Sequence, residues 1–274
     1  MQPLRRTLCL SALLAAAGVR AAPAAPAAER RVALVIGNSA YRVGPLKNPV
    51  SDAQAMAGAL RGLGFEVALV LDASMRDLIE AFRRFSLDTR SAAVRLIFYA
   101  GHGVQVKGRN YLLPVDTEIR AEEEVPAKSA DLNELLERLG ALPQGINIVI
   151  LDACRNNPFS GAEILGPDGR RLKFRGATPA GLAPVEAPLG SMVAFSTAPG
   201  GVALDNPKEP HSLYTKHLLG ALQTPGLPIE MLFKQVRLSV ARETGRVQVP
   251  WESSSLTGDF CFKPGPGGGC TVLR

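Results

Sequence analysis

Four almost wholly apolar runs constrain this chain most: Val32 to Ile36, Val67 to Leu71, Val94 to Tyr99 and Ile146 to Leu151. Continuous apolar strands are buried on both faces, which is the pattern of a parallel sheet. Helical periods separate them. Ser51 opens a helix with a capping box, Ser51-x-x-Gln54, whose apolar face is Ala53, Met56, Ala57, Leu60 and Leu63, with Gly64 as its stop. Ser74 caps a second helix that buries Leu78, Ile79, Phe82 and Phe85. Leu132 to Leu139, His211 to Leu222 and Ile229 to Thr244 read as further helices. Val104 to Leu113 reads as a small hairpin, Ser191 to Ser196 as a fifth strand and Phe260 to Phe262 as a last short one. Strands alternating with helices predict an α/β fold, with a mostly parallel central sheet flanked by helices.

The chain of 274 residues is long enough for one large α/β domain. Residues 1–21 read as a signal peptide. Arg5-Arg6 is a basic start, also similar to a twin-arginine signal, and Leu8 to Val19 is an apolar run too short to span a membrane. Val19-Arg20-Ala21 offers small residues at cleavage positions, and residues 22–30 form an Ala/Pro linker. The expectation is export to the periplasm or medium, with no stable membrane span once the signal is removed. The formal charge is +6; without Arg5, Arg6 and Arg20, 28 basic residues face 25 acidic ones. That balance is too mild and too evenly spread for a nucleic-acid partner. The domain is expected over residues 31–263, followed by a flexible tail at 264–274.

The chemistry-bearing residues stand where strands end. Cys154 follows the run Ile146 to Leu151, and His102 follows Val94 to Tyr99 within Ala100-Gly101-His102-Gly103. In an open α/β sheet, reactive groups collect at the carboxyl edge. Taken singly, Cys154 reads better as a buried structural thiol and His102 as a satisfied loop histidine. Taken together, at equivalent edges, they read as a nucleophile and its base. Gly101 and Gly103 leave the backbone open for a substrate's approach. No Cys or His pair stands at zinc spacing, so no metal site is expected. His211 and His217 read as structural helix residues.

Phe98-Tyr99-Ala100-Gly101-His102-Gly103 with Leu151-Asp152-Ala153-Cys154-Arg155 resembles the caspase family, and within it the bacterial metacaspase-like branch. Pro250-Trp251-Glu252-Ser253-Ser254-Ser255-Leu256 is similar to the same branch. The resemblance covers about residues 31 to 262 and implies a three-layer caspase-like fold. It divides the domain into a large-subunit-like part (31–159) with the dyad, a processing-type loop (160–190) and a small-subunit-like part (191–263). It implies cysteine endopeptidase activity, with Cys154 as nucleophile, His102 as base, and the N–H groups of Gly103 and Cys154 as oxyanion hole.

The same resemblance places Asp52 and Asp152 in the S1 pocket. Ala100 stands where the family often has a serine. Ser196-Thr197-Ala198-Pro199-Gly200 resembles a substrate-flanking loop able to pair with an extended peptide, and Asp205 helps shape the pocket. Paired carboxylates favour a guanidinium or ammonium, so cleavage after Arg or Lys of peptide or protein substrates is expected. Arg170, Arg171, Lys173 and Arg175 then become candidate self-cleavage sites. Cys261 and Cys270 become a candidate disulfide in an exported protein. No cofactor is required; calcium enters by resemblance alone. The alternatives are a catalytically weak binding or signalling module and another α/β thiol hydrolase.

Overall fold

The structure is a computed structural model that describes residues 29–142, 145–154, 163–165, 171–173, 182–199, 203, 208–266 and 270; of residues 154, 163–165 and 171–173 it describes the backbone. The expected signal peptide, most of the linker, Arg170, Arg175 and Asp205 lie outside the described residues.

In chain order the elements are β1 (Arg31–Gly37), α1 (Pro49–Gly62), β2 (Phe65–Leu71), α2 (Met75–Asp88), β3 (Val94–Val106), β4 (Arg109–Leu112), α3 (Val125–Lys128), β5 (Ala130–Asp131), α4 (Leu132–Gly140) and β6 (Ile146–Cys154). Then come β7 (Glu163–Leu165), β8 (Arg171–Lys173), β9 (Ser191–Phe195), α5 (Leu213–Leu222), α6 (Ile229–Glu243) and β10 (Trp251–Ser254). The main sheet runs β10-β9-β6-β3-β1-β2. All its pairings are parallel except β10 on β9.

Helices cover both faces, as continuous apolar strands require. On one face α1, α5 and α6 pack Met56, Leu60, Leu218 and Phe233 against Phe98, Ile148 and Met192. On the other, α2 and α4 pack Leu78, Phe85, Leu135 and Leu136 against Leu34, Tyr99 and Val193. This is the expected three-layer α/β architecture. Chain order reverses at β1, between β2 and β3; in open α/β sheets, ligands bind outside the strands' carboxyl ends at such a switch point.

Several local expectations are corrected. Helix α1 starts at Pro49, not Ser51, and its N-cap Asn48 makes no side-chain cap bond. Proline at the first helical position supplies the fixed φ, and Asn48 Nδ2 instead donates to the Glu209 carbonyl at 2.9 Å. The Ser74 cap is present, as a full capping box with Asp77. Ile79, expected in the core, is 55% exposed. Strand β3 does not stop at Tyr99. It continues through the glycine-rich block to Val106, because β4 pairs with its extension from Gly103↔Leu112 to Val106↔Arg109.

His211 precedes α5 rather than lying on it. Phe260 to Phe262 is no strand; Cys261 forms one isolated bridge with Pro228, and the last strand is β10. Arg171 and Lys173, expected in a loop, lie on β8, which pairs antiparallel with β7. Cys261 and Cys270 are joined, with Cα atoms 5.2 Å apart. Among the described residues no helix is long and apolar enough to cross a membrane.

Candidate active site

His102 and Cys154 are register partners across the parallel strands β3 and β6. Neighbouring strands lie roughly 5 Å apart, so the two positions adjoin at one sheet edge. Cys154 is the last residue of β6, whereas His102 sits within β3.

The imidazole of His102 is buried and closely held. Its Nε2 lies 2.6 Å from the Gly44 carbonyl, to which it can only donate. That bond places the neutral ring's acceptor lone pair on Nδ1. The Tyr41 ring packs 4.4 Å from the imidazole, centroid to centroid. The backbone is fixed as well: His102 N–H donates to Tyr41 Oη at 2.9 Å, and Tyr99 Oη donates to His102 O at 2.7 Å. Gly101 makes this possible. A Cβ there would lie 2.5 Å from Tyr41 Oη and 2.9 Å from Tyr99 Oη. The glycine expected to admit substrate admits two tyrosine hydroxyls instead.

The candidate S1 residues form a row across the sheet. Gly37 on β1 pairs with Ala100 on β3, and Ala100 pairs with Asp152 on β6. Ser196 follows the last β6–β9 pair, Leu151↔Phe195, and its N–H donates to Leu151 O at 2.9 Å. Asp52 approaches this row from α1. A Cβ on Gly37 would lie 2.4 Å from the Pro49 carbonyl and 2.6 Å from Ala53 Cβ. The glycine therefore lets the first turn of α1 rest directly on the sheet, and Asp52 belongs to that turn.

Both carboxylates are buried, Asp52 at 1% and Asp152 at 9% exposure. Both reach Ser212, immediately before α5. Ser212 N–H donates to Asp52 Oδ1 at 3.1 Å, and Ser212 Oγ donates to Asp152 Oδ2. Thr215 Oγ1 also donates to Asp152 Oδ2, at 2.7 Å, and His211 Nδ1 lies 3.0 Å from Asp52 Oδ1. Sequence reasoning missed Tyr41, Gly44, His211, Ser212 and Thr215. The Ser212-x-x-Thr215 spacing before an apolar helix was the available cue.

Ser196 is fully buried, its carbonyl accepts Gln248 Nε2 at 2.8 Å, and its hydroxyl has no partner among the described residues. With its N–H and carbonyl already engaged, an added peptide strand must pair beyond Ser196. Gly103 lies on the paired β3–β4 arm. His217 bonds Glu243 at 2.8 Å, at the helical surface. Among the described residues no three His, Cys, Asp or Glu side chains gather as a metal site, so none is assigned to calcium.

A family model described as the caspase domain matches residues 30–261. The human mucosa-associated lymphoid tissue lymphoma translocation protein 1 is 33% identical over 131 residues, which are 47% of this chain and 16% of the relative. Its mouse homolog is 32% identical over 131 residues, 47% of this chain and 15% of the relative. The chain thus matches only about a sixth of these relatives' length. The crystal structure of caspase-1 from Spodoptera frugiperda shares the fold, with a TM-score of 0.59 at 18% identity, covering 87% of this chain and 92% of that one. With the family model spanning the whole three-layer domain, the chain belongs to the caspase-like cysteine peptidase family.

Proposed function

We propose that this protein is a cysteine endopeptidase that cleaves after arginine or lysine, using Cys154 and His102. The observation that carries the reading is the meeting of two buried carboxylates, Asp52 and Asp152, beside the strand end that bears Cys154. Buried like charges repel and cost desolvation energy, and a bound cation offsets both. A guanidinium or ammonium fits such a pocket and an aspartate does not.

The steps follow from the placement of the groups. His102, with Nε2–H on the Gly44 carbonyl, takes the Cys154 thiol proton on Nδ1. The thiolate sulfur bonds the scissile carbonyl carbon, and the carbonyl electrons move to oxygen. The N–H groups of Gly103 and Cys154 hold that oxyanion. Its collapse breaks the C–N bond, and the imidazolium gives its proton to the departing amine. Water, deprotonated by His102, then hydrolyses the thioester and restores the thiol. Asp52 and Asp152, beside Ser196, hold the basic side chain throughout. The leader and the Cys261–Cys270 pair support an exported, periplasmic or secreted enzyme. Arg170, Arg171, Lys173 and Arg175 become self-processing sites under this specificity, and activity is expected to persist in EDTA.

Fluorogenic peptides ending in Arg, Lys and Asp test the reading beside Cys154→Ala. Cleavage of the Arg and Lys peptides by the parent alone is expected. Preference for Asp overturns the specificity, activity in Cys154→Ala overturns the nucleophile, and activity on none favours a binding module.

A further inference from the structure

Asp52 and Asp152 come from different elements, the first turn of α1 and the end of β6. Nothing in α1 or β6 alone keeps two like charges together in a buried site. Among the described residues, Ser212 touches both. Ser212 gives its backbone N–H to Asp52, at 3.1 Å from Oδ1 and 3.3 Å from Oδ2, and its hydroxyl proton to Asp152 Oδ2. The same hydroxyl oxygen accepts the Thr215 N–H at 3.0 Å, as the N-cap of α5. Thr215 adds a second hydroxyl to Asp152 Oδ2. The carboxylates are therefore seated together on the first turn of α5, where the helix dipole also favours negative charge. The seat is tied to α1 independently, by Asn48 Nδ2 on the Glu209 carbonyl and His211 Nδ1 beside Asp52.

We propose that Ser212 is the positioning residue that makes Asp52 and Asp152 one cation-recognising unit. The inference rests on the basic specificity proposed above and adds to it a residue that need not touch the substrate. Ser212 registers the two acids to one another, so that a guanidinium meets both at once. Thr215 supports Asp152 from the same first turn.

Agmatine, an arginine side-chain mimic, and an Arg-ended fluorogenic peptide test this with the full chain and its Ser212→Gly, Ser212→Thr and Thr215→Val variants. Glycine is a tolerated N-cap, yet it lacks the hydroxyl. Ser212→Gly is expected to raise KM for the Arg peptide and Kd for agmatine about tenfold, the scale of one hydrogen bond to a charged group. The change in kcat stays within about twofold, because the positioned acids bind substrate and transition state alike. Ser212→Thr is expected to stay near the parent, and Thr215→Val to raise both constants by about threefold while leaving the cap hydroxyl in place. A lowered Tm in Ser212→Gly with unchanged KM and Kd reduces Ser212 to a helix cap and overturns the proposal. Should Ser212→Gly fail to fold, Thr215→Val and Ser212→Thr decide on the same readouts. A parent that binds agmatine while all variants match it keeps the basic specificity and sinks this inference; a parent that neither binds agmatine nor cleaves Arg or Lys peptides overturns both.

Discussion

Two buried tyrosines show how much a single hydroxyl depends on its neighbours. Tyr99 Oη donates to the His102 carbonyl and lies 3.0 Å from the Leu113 carbonyl. Tyr214 Oη is equally buried and has no partner among the described residues. Tyr99→Phe is expected to cost about 1–2 kcal/mol, whereas Tyr214→Phe is expected to be neutral or stabilising. Urea denaturation distinguishes them; equal losses would contradict the hydrogen-bond account. At this scale the sequence was only partly legible. His102 and Cys154 are visible from their neighbours along the chain. Tyr41 and Gly44 are not, because they reach His102 from 58 or more residues away. Gly101 was legible as a glycine that matters, but the space it opens is filled by Tyr41 and Tyr99.

Elements were read well where apolar runs decide and poorly where a local cue had competitors. The strands β1 and β6 follow from burial on both faces; β2, read from the same kind of apolar run, is instead the half-exposed edge strand, with only Phe65 buried. The start of α1 does not follow from its apparent capping box, since Pro49 pre-sets the first turn and Asn48 is occupied by Glu209. The extension of β3 and the edge strand β10 were missed because their pairing partners, β4 and β9, supply the order. Two substitutions test elements separately. Ser74→Ala breaks a capping box whose bonds run between Ser74 and Asp77. It is expected to cost about 1 kcal/mol, a Tm drop of roughly 2–4 °C, with peptide cleavage unchanged. Gly37→Ala drives a Cβ into the Pro49 carbonyl. Overpacking of about 1–3 kcal/mol is expected, together with a raised KM for Arg peptides, because α1 carries Asp52. A Gly37→Ala protein with parental KM would show that α1 does not place that carboxylate.

At the scale of the molecule, the three-layer order was legible because parallel sheets leave few topologies, and so was the adjacency of His102 and Cys154 on neighbouring parallel strands. The convergence of α1, β6 and α5 on Ser212 was not, because it joins residues 160 and 60 positions apart. Global stability also has a pH signature. Burial raises the Tyr99 and Tyr214 phenols well above their ordinary value. An unfolded tyrosine ionises near pH ~10, so above that pH the folded chain keeps protons the unfolded chain releases. Stability therefore falls as pH rises past about 10. Urea midpoints at about pH 9 and about pH 11 should show that loss, and Tyr214→Phe should show less of it. An identical loss in Tyr214→Phe would contradict the assignment.

If Cys154 at the end of β6 attacks the bond after a residue whose positive charge Asp52 and Asp152 hold, that charge must decide which peptides are cleaved. The most direct measurement compares kcat/KM for two peptides identical except for arginine or its neutral isostere citrulline at the cleaved position, in the parent and in Cys154→Ala. An arginine preference of at least about a hundredfold is expected in the parent, from two charge-assisted contacts, with no turnover of either peptide by Cys154→Ala. Cleavage of the citrulline peptide within about threefold of the arginine peptide, well under 1 kcal/mol of discrimination, would contradict it.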